Sequence, residues 1–367
     1  MLDNYPLAYL VINRLYNSHV LNRLDRFEDV AKSLFGVQAQ IANASAIAYS
    51  TRVNNPQYAS YLKAFQDLKL VRLWGIRTTL HSYCFDDWDM VLSQISTTEN
   101  WFLKKMKKQG IDIENLIEQA IDIIKDVDCF DRNFLIKGGI SEEYLGPWGD
   151  LLIELNNRGY IFHAINDRSK RKTFKNAKKY FDECISRVPQ INDRIKREIV
   201  IRYFSAYSPA TIYDFAHWLG CSLGQADGYV DIIEDELCEV TCADQCYYVL
   251  KKEYERYEQV YCKFRRSNQC WLLPKFDPLL LAYNDKKWIA GEKYQKDIWK
   301  IAGHVEGVVV QNWKAIATWK YILKGTTIDF NIVLFESNCP INRSSLYRRC
   351  AEIAKFRTCH VGTIIIT

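Results

Sequence analysis

Apolar residues recur at helical spacing through 6–16, 26–35, 41–53 and 58–69, which predicts four helices. The pattern then changes. "LVRLWGIRTTLHSY", residues 70–83, is rich in β-branched and aromatic residues around Gly75 and reads as a β-hairpin. Helices followed by a hairpin are the outline of a winged helix.

The outline returns twice. Residues 111–127 and 141–158 read as helices, and "RGYIFHAINDRSKRKTF", 158–174, reads as strand, polar turn, strand. Next come "DRIKREIVIRYFSAY" and "SPATIYDFAHWLG", the latter predicted to open with Ser208 as N-cap and Pro209 at the first helical position. "SLGQADGYVDIIEDEL" reads as a third helix, and "CEVTCADQCYYVL" as a hairpin around Ala243 and Asp244. From about residue 268 the chain alternates like a β-meander, with turns at 312–314 and 324–326, a closing helix at "SSLYRRCAEIAKF" and a last strand "VGTIIIT". The expected fold class is α+β: three tandem winged-helix domains with a C-terminal β-rich, barrel-like part. The expected domains are 1–95, 96–188, 189–265 and 266–367.

Composition narrows the class. No apolar run reaches the ~18 residues of a membrane span, and the first twenty residues have no basic leader, so a cytoplasmic protein is expected. The twelve cysteines are scattered and read as reduced thiols. Cys238, Cys242 and Cys246 are spaced by three intervening residues, unlike the two usual in zinc or iron–sulfur sites, so neither metal nor cofactor is expected.

Charge has a location. "RSKRKTFKNAKK", 168–179, carries seven basic residues and no acid, and taking these from the net +5 leaves −2 for the rest. This run falls on the tip and return of the second predicted wing. Such a local positive field suits phosphate neutralisation, although a solvated basic loop has the same composition. Winged helices also mediate protein contacts, so pattern and charge leave three readings open: a DNA-acting enzyme, a non-catalytic DNA-binding regulator and a protein scaffold.

"SLFGVQAQIANASAIAYSTR", 33–52, then sets two neutral amides, Gln38 and Gln40, at the end of an apolar run. Four stretches in order, "GVQAQ" (36–40), "VRLWGIRTTLH" (71–81), "YSPATIYDFAHWLG" (207–220) and "LLPKFDPLLLAYNDKKW" (272–288), resemble the AlkZ-type winged-helix DNA glycosylases. The resemblance covers nearly the whole chain. It implies a monofunctional glycosylase that acts on alkylated purines in double-stranded DNA and in some members unhooks interstrand crosslinks. The family's Gln-apolar-Gln catalytic element falls on Gln38, Ala39 and Gln40. A related branch carries aspartate at the second glutamine.

The chemistry is consistent with that element. An N7-alkylguanine or N3-alkyladenine is already cationic, so its base leaves neutral and needs no proton. A carboxamide oxygen can orient a water, but it is not a general base of useful pKa. Two glutamines therefore predict a catalyst limited to good leaving groups. On a helix, residues two apart diverge by ~200°, whereas on an extended turn they share a face. Gly36 after "VAKSLF" fits a helix C-cap and predicts that turn at 37–40.

DNA contacts are expected from Arg77 and His81 of the first wing, from Arg168, Lys170, Arg171, Lys172 and Lys175 of the second, and from Lys286 and Lys287 on a hairpin tip at 284–287. The family commonly shows Arg-Gly-Thr-Leu-His at 77–81; Thr78 stands at the glycine position here. Asp277 reads as a turn residue before Pro278 that holds the C-terminal part in place. The expected partner is duplex DNA carrying alkylated purines, met by a monomer associated with the nucleoid, away from any membrane.

Overall fold

The helical spacing of the first segment becomes helices Leu7–Asn17, Phe27–Leu34, Ala42–Ser50 and Tyr58–Gln66. The computed structural model describes residues 4–96, 101–146, 149–165, 172–181 and 190–367. The chain divides into two compact units, Met1–Ala64 with Asp193–Thr367, and Phe65–Asn192.

In the first unit, helices Asp193–Tyr207, Ile212–Leu219 and Leu223–Val230 precede the hairpin Leu237–Cys242/Gln245–Leu250. Its turn residues Ala243 and Asp244 have φ of 47° and 62°, the two positive values a tight hairpin needs. Strand Asn4–Tyr5 joins its edge in parallel. Helix Ile212–Leu219 departs from expectation. Ser208–Pro209 is a cis peptide before the helix, and Thr211 is the N-cap, in a capping box with Asp214. The sequence places both candidates at the same end; only the hydrogen bonds separate them.

The C-terminal meander is a five-stranded sheet in the order Trp271–Leu273, Gly307–Gln311, Lys314–Lys324, Thr327–Leu334, His360–Ile366. The last pair is parallel and the others antiparallel. The sheet is open, with the first and last strands as edges. Helix Arg343–Phe356 covers it through Leu346, Cys350 and Ile353, in one core with Trp319, Phe330 and Ile47. Ile47 docks helix Ala42–Ser50 on this sheet.

The second unit holds strands in the order Leu80–Cys84, Leu70–Trp74, Ile161–His163, Thr173–Asn176, Cys129–Asp131. The first two expected wings therefore share one sheet, in which Arg72 pairs with His163. Asn156 clamps this sheet to helix Asp150–Asn157: its Nδ2 donates to the Trp74 carbonyl at 3.0 Å and its Oδ1 accepts from the Trp74 N–H at 3.2 Å. The helix expected over 141–158 is instead a 3-10 turn, Glu142–Leu145, and this shorter helix. Gly149 at φ 97° caps the helix, a conformation suited to glycine. No described helix is long and apolar enough to cross a membrane.

Candidate active site

The glutamine turn is set by the end of helix Phe27–Leu34. Phe35 itself takes the left-handed cap at φ 49°, and Gly36 follows at φ 93°, donating its N–H to the Ala31 carbonyl at 2.8 Å. Gly36 was expected to be the cap; it is the residue after it. Phe35 is buried against Trp218, with ring centroids 6.0 Å apart, which offsets its backbone strain. Tyr207 Oη donates to the Leu34 carbonyl at 3.1 Å. The chain then turns extended over Val37–Gln38 and becomes helical only at Ala42.

Gln38 and Gln40 therefore sit on a non-helical turn. Gln38 is 8% exposed and Gln40 is exposed. Among the described residues, the Gln38 amide makes no hydrogen bond and is not among the sealed, unpartnered polar atoms. A carboxamide in this state keeps its oxygen for a water.

Beyond the turn, a groove of about 760 Å³ runs past Ile41, Asn43 and Ala44 to Lys275, Trp319 and Phe330. A buried ion pair fixes its two sides. Arg52, just past helix Ala42–Ser50, meets Asp277 in a bidentate contact at 2.7 and 2.9 Å, both side chains fully buried. Arg52 also donates to the carbonyls of Ser18 and Ala48. Asp277 caps the short helix Pro278–Leu281 through the Leu279 N–H at 3.0 Å. The helix after the glutamines is thus tied to the loop that carries Lys275. Lys275 itself meets Glu306, together with Lys320 and His304.

A family profile described as "DNA glycosylase AlkZ-like" matches residues 31–356 of the 367. The chain belongs to the AlkZ-like DNA glycosylase family. It is, accordingly, a DNA glycosylase, an enzyme that cleaves the bond between a base and its sugar. A curated relative, the "Interstrand DNA cross-link repair glycosylase" of Streptomyces sahachiroi, is 25% identical over 315 residues, spanning 80% of this chain and 82% of the relative. The solved structure of Streptomyces sahachiroi DNA glycosylase AlkZ matches the whole of both chains with a TM-score of 0.84 at 21% identity, which shows a shared fold.

In this AlkZ-like chain the other expected site residues divide. Arg77 is half-buried at the tip of its hairpin. His81 is not a surface cation. It is 3% exposed, its Nδ1–H donates to the Thr79 carbonyl at 3.0 Å, and burial, then the nearby Arg77 charge, push its pKa down to about 3. A neutral, enclosed ring has nothing to offer a phosphate. Lys172 is exposed, and Lys175 lies 4.3 Å over the Tyr180 ring. Arg168, Lys170 and Arg171 lie outside the described residues.

The expected hairpin tip at 284–287 is a loop without strands, because its backbone is committed elsewhere. The Asn284 N–H donates to Asp214 at 2.8 Å. Lys286 Nζ reaches the Tyr283 carbonyl and lies 5.4 Å over the Trp299 ring. Lys287 pairs with Glu292 at 2.7 Å.

Pattern reasoning missed Glu306, Lys320 and His304. They belong to no local motif, and Lys275 alone lies in one of the four family-like stretches, "LLPKFDPLLLAYNDKKW". Among the described residues no group of three or more His, Cys, Asp or Glu could hold a metal ion.

Proposed function

We propose that this glycosylase hydrolyses the N-glycosidic bond of cationic alkylated purines, N7-alkylguanine and N3-alkyladenine, in double-stranded DNA, including interstrand crosslinks. Gln38 and Gln40 orient the attacking water. The positively charged base leaves as a neutral species, so the enzyme supplies no proton. It holds the nucleotide while the sugar gains oxocarbenium character, and a carboxamide oxygen fixes the water on the opposite face. The observation that carries this reading is the non-helical turn that holds Gln38 and Gln40 and runs directly into Ile41 at the edge of a groove, with the Gln38 amide making no hydrogen bond among the described residues. The crosslink-repair name of the Streptomyces relative supports the crosslink substrate. An open groove suits that substrate, since an enclosed pocket could not take a base still tied to the second strand.

The architecture attached to this reading is three tandem winged helices with a β-rich C-terminal part, supported by three successions of helices and hairpin. Arg77, Lys172 and Lys175, with Arg168, Lys170, Arg171, Lys286 and Lys287, supply phosphate contacts along the duplex. The enzyme works as a monomer on nucleoid DNA in the cytoplasm.

The test is base release from duplexes carrying N7-methylguanine, N3-methyladenine or an N7-linked crosslink. Gln38→Ala is expected to lower the single-turnover rate by about 100-fold, the scale of misplacing a reacting group, while binding undamaged duplex as wild type does. Unaltered release by both Gln38→Ala and Gln40→Ala would remove the glutamines from the mechanism.

A further inference from the structure

At one end of the groove four ionisable side chains converge. Glu306 is 5% exposed, with Lys320 Nζ 3.1 Å from its Oε1 and Lys275 Nζ 3.0 Å from its Oε2. His304 Nε2 lies 3.4 Å from Oε1 and 3.2 Å from Lys275 Nζ. Burial raises the Glu306 carboxyl, but Lys275 and Lys320 outweigh it and hold the group below its ordinary range, so it is ionised at neutral pH. Two ammonium groups against one carboxylate leave a surplus positive charge. Both lysines line the groove, as do Asn43 and Ala44 in the first turn of the helix after Gln40. A third lysine there, Lys324, is held by Asp329 at 2.7 Å.

We propose that Lys275 and Lys320 form a subsite for one backbone phosphodiester of the lesion-bearing strand, and that Glu306 is the positioning residue that holds them together. Two ammonium groups this close repel one another and would splay apart without a shared counter-ion. Glu306 forms an ion pair with each through a separate oxygen, the Oε2 contact lying outside hydrogen-bond geometry. An ammonium has three donors, so each lysine retains N–H groups for the two non-bridging oxygens of a phosphodiester. The side-chain exposure of 28% for Lys275 and 56% for Lys320 leaves room for that approach. The exposed residues Ile41, Ile322 and Ile365 line the same groove and are apolar, which suits sugar and base and leaves the anion to the lysines.

The proposal rests on the glycosylase reading of this groove, and the experiment separates the two. Binding of a methylated duplex made resistant to cleavage by a 2′-fluoro sugar at the lesion is measured from 50 to 200 mM salt for wild type, for the double variant Lys275→Met/Lys320→Met, for Lys320→Arg, for Glu306→Gln and for Gln38→Ala. Losing one phosphate contact lowers the log–log salt slope by ~0.9, about a 3.5-fold change in relative affinity across that range. The double variant is expected to show this drop, and Lys320→Arg to keep the wild-type slope. Glu306→Gln is expected to bind about threefold more weakly although it has lost a negative charge, because its lysines are no longer held. An unchanged slope in the double variant, with its melting temperature intact, overturns the subsite. Tighter binding by Glu306→Gln overturns the positioning role, since simple charge removal would do that. Gln38→Ala that loses base release at an unchanged slope upholds the catalytic reading whatever the lysines do.

Discussion

At the scale of single residues, the turn of the first hairpin contains a local cost. Arg77 and Thr78 have φ of 57° and 53°, and the Thr79 N–H closes on the Ile76 carbonyl at 3.2 Å. Both central residues of this turn are left-handed, which suits Asn and Gly and disfavours a β-branched side chain. Thr78 stands where the resembled family commonly has glycine, and the conformation gives the physical reason for that preference. Thr78→Gly relieves about 1–2 kcal/mol of left-handed strain, of which about 0.5–1 kcal/mol returns as glycine's greater freedom in the unfolded chain. The expected result is a rise in melting temperature of about 2 °C. A fall in calorimetry would show that Thr78 is held by something other than this turn. The underlying Gly75 resists the opposite change: a Cβ there would lie 1.8 Å from the Tyr83 hydroxyl. The sequence made the hairpin legible, and Gly75 with it. It did not make His81 legible, because alternation within a strand says which residues share a face and not which face is enclosed.

At the scale of elements, the candidate site depends on the tie between helix Ala42–Ser50 and the Asp277 cap. Asp277→Ala leaves the Arg52 charge buried without its partner, and the expected destabilisation is about 3–5 kcal/mol. Arg52→Met/Asp277→Leu removes both charges and should cost clearly less than the single change. Denaturant titration of the three proteins tests this; equal losses would mean that Asp277 acts as a helix cap alone. A turn role for Asp277 was readable from the proline that follows it. The partner was not, since Arg52 lies 225 positions away and no local period connects them. The same holds for Asp214, whose capping box is a local pattern but whose grip on the Asn284 N–H is not. Helix ends were displaced for a related reason: Ser208 and Thr211 both satisfy the sequence rule for an N-cap, and the hydrogen bonds choose Thr211.

At the scale of the whole molecule, three histidines, His81 and His163 buried and His19 half-buried, set the response to acid. Burial pushes His19 down to about 4, His81 down to about 3, and His163 well below the ordinary value of 6.5. Nearby arginines add to each shift. The unfolded chain therefore takes up these protons first, so stability falls as pH drops through 6.5 toward the folded values. Each histidine contributes about 1.4 kcal/mol per pH unit in that window. The urea midpoint is expected to be lower at pH 5.5 than at pH 7.5, and equal midpoints would mean that these rings are open to solvent. Carboxylates such as Glu306 act later, as pH falls below 4.5, because their folded values are depressed. By itself the sequence determined the succession of helices and hairpins, the position of the glutamine turn and the local concentration of positive charge. Each is written in short-range spacing, turn residues and composition. Tertiary structure alone decided that the first two hairpins share a sheet, that His81 is sealed, and that Lys275, Lys320 and His304 gather on Glu306. Those outcomes depend on which surfaces exclude water and on pairings between residues far apart in the chain, and no local pattern encodes either.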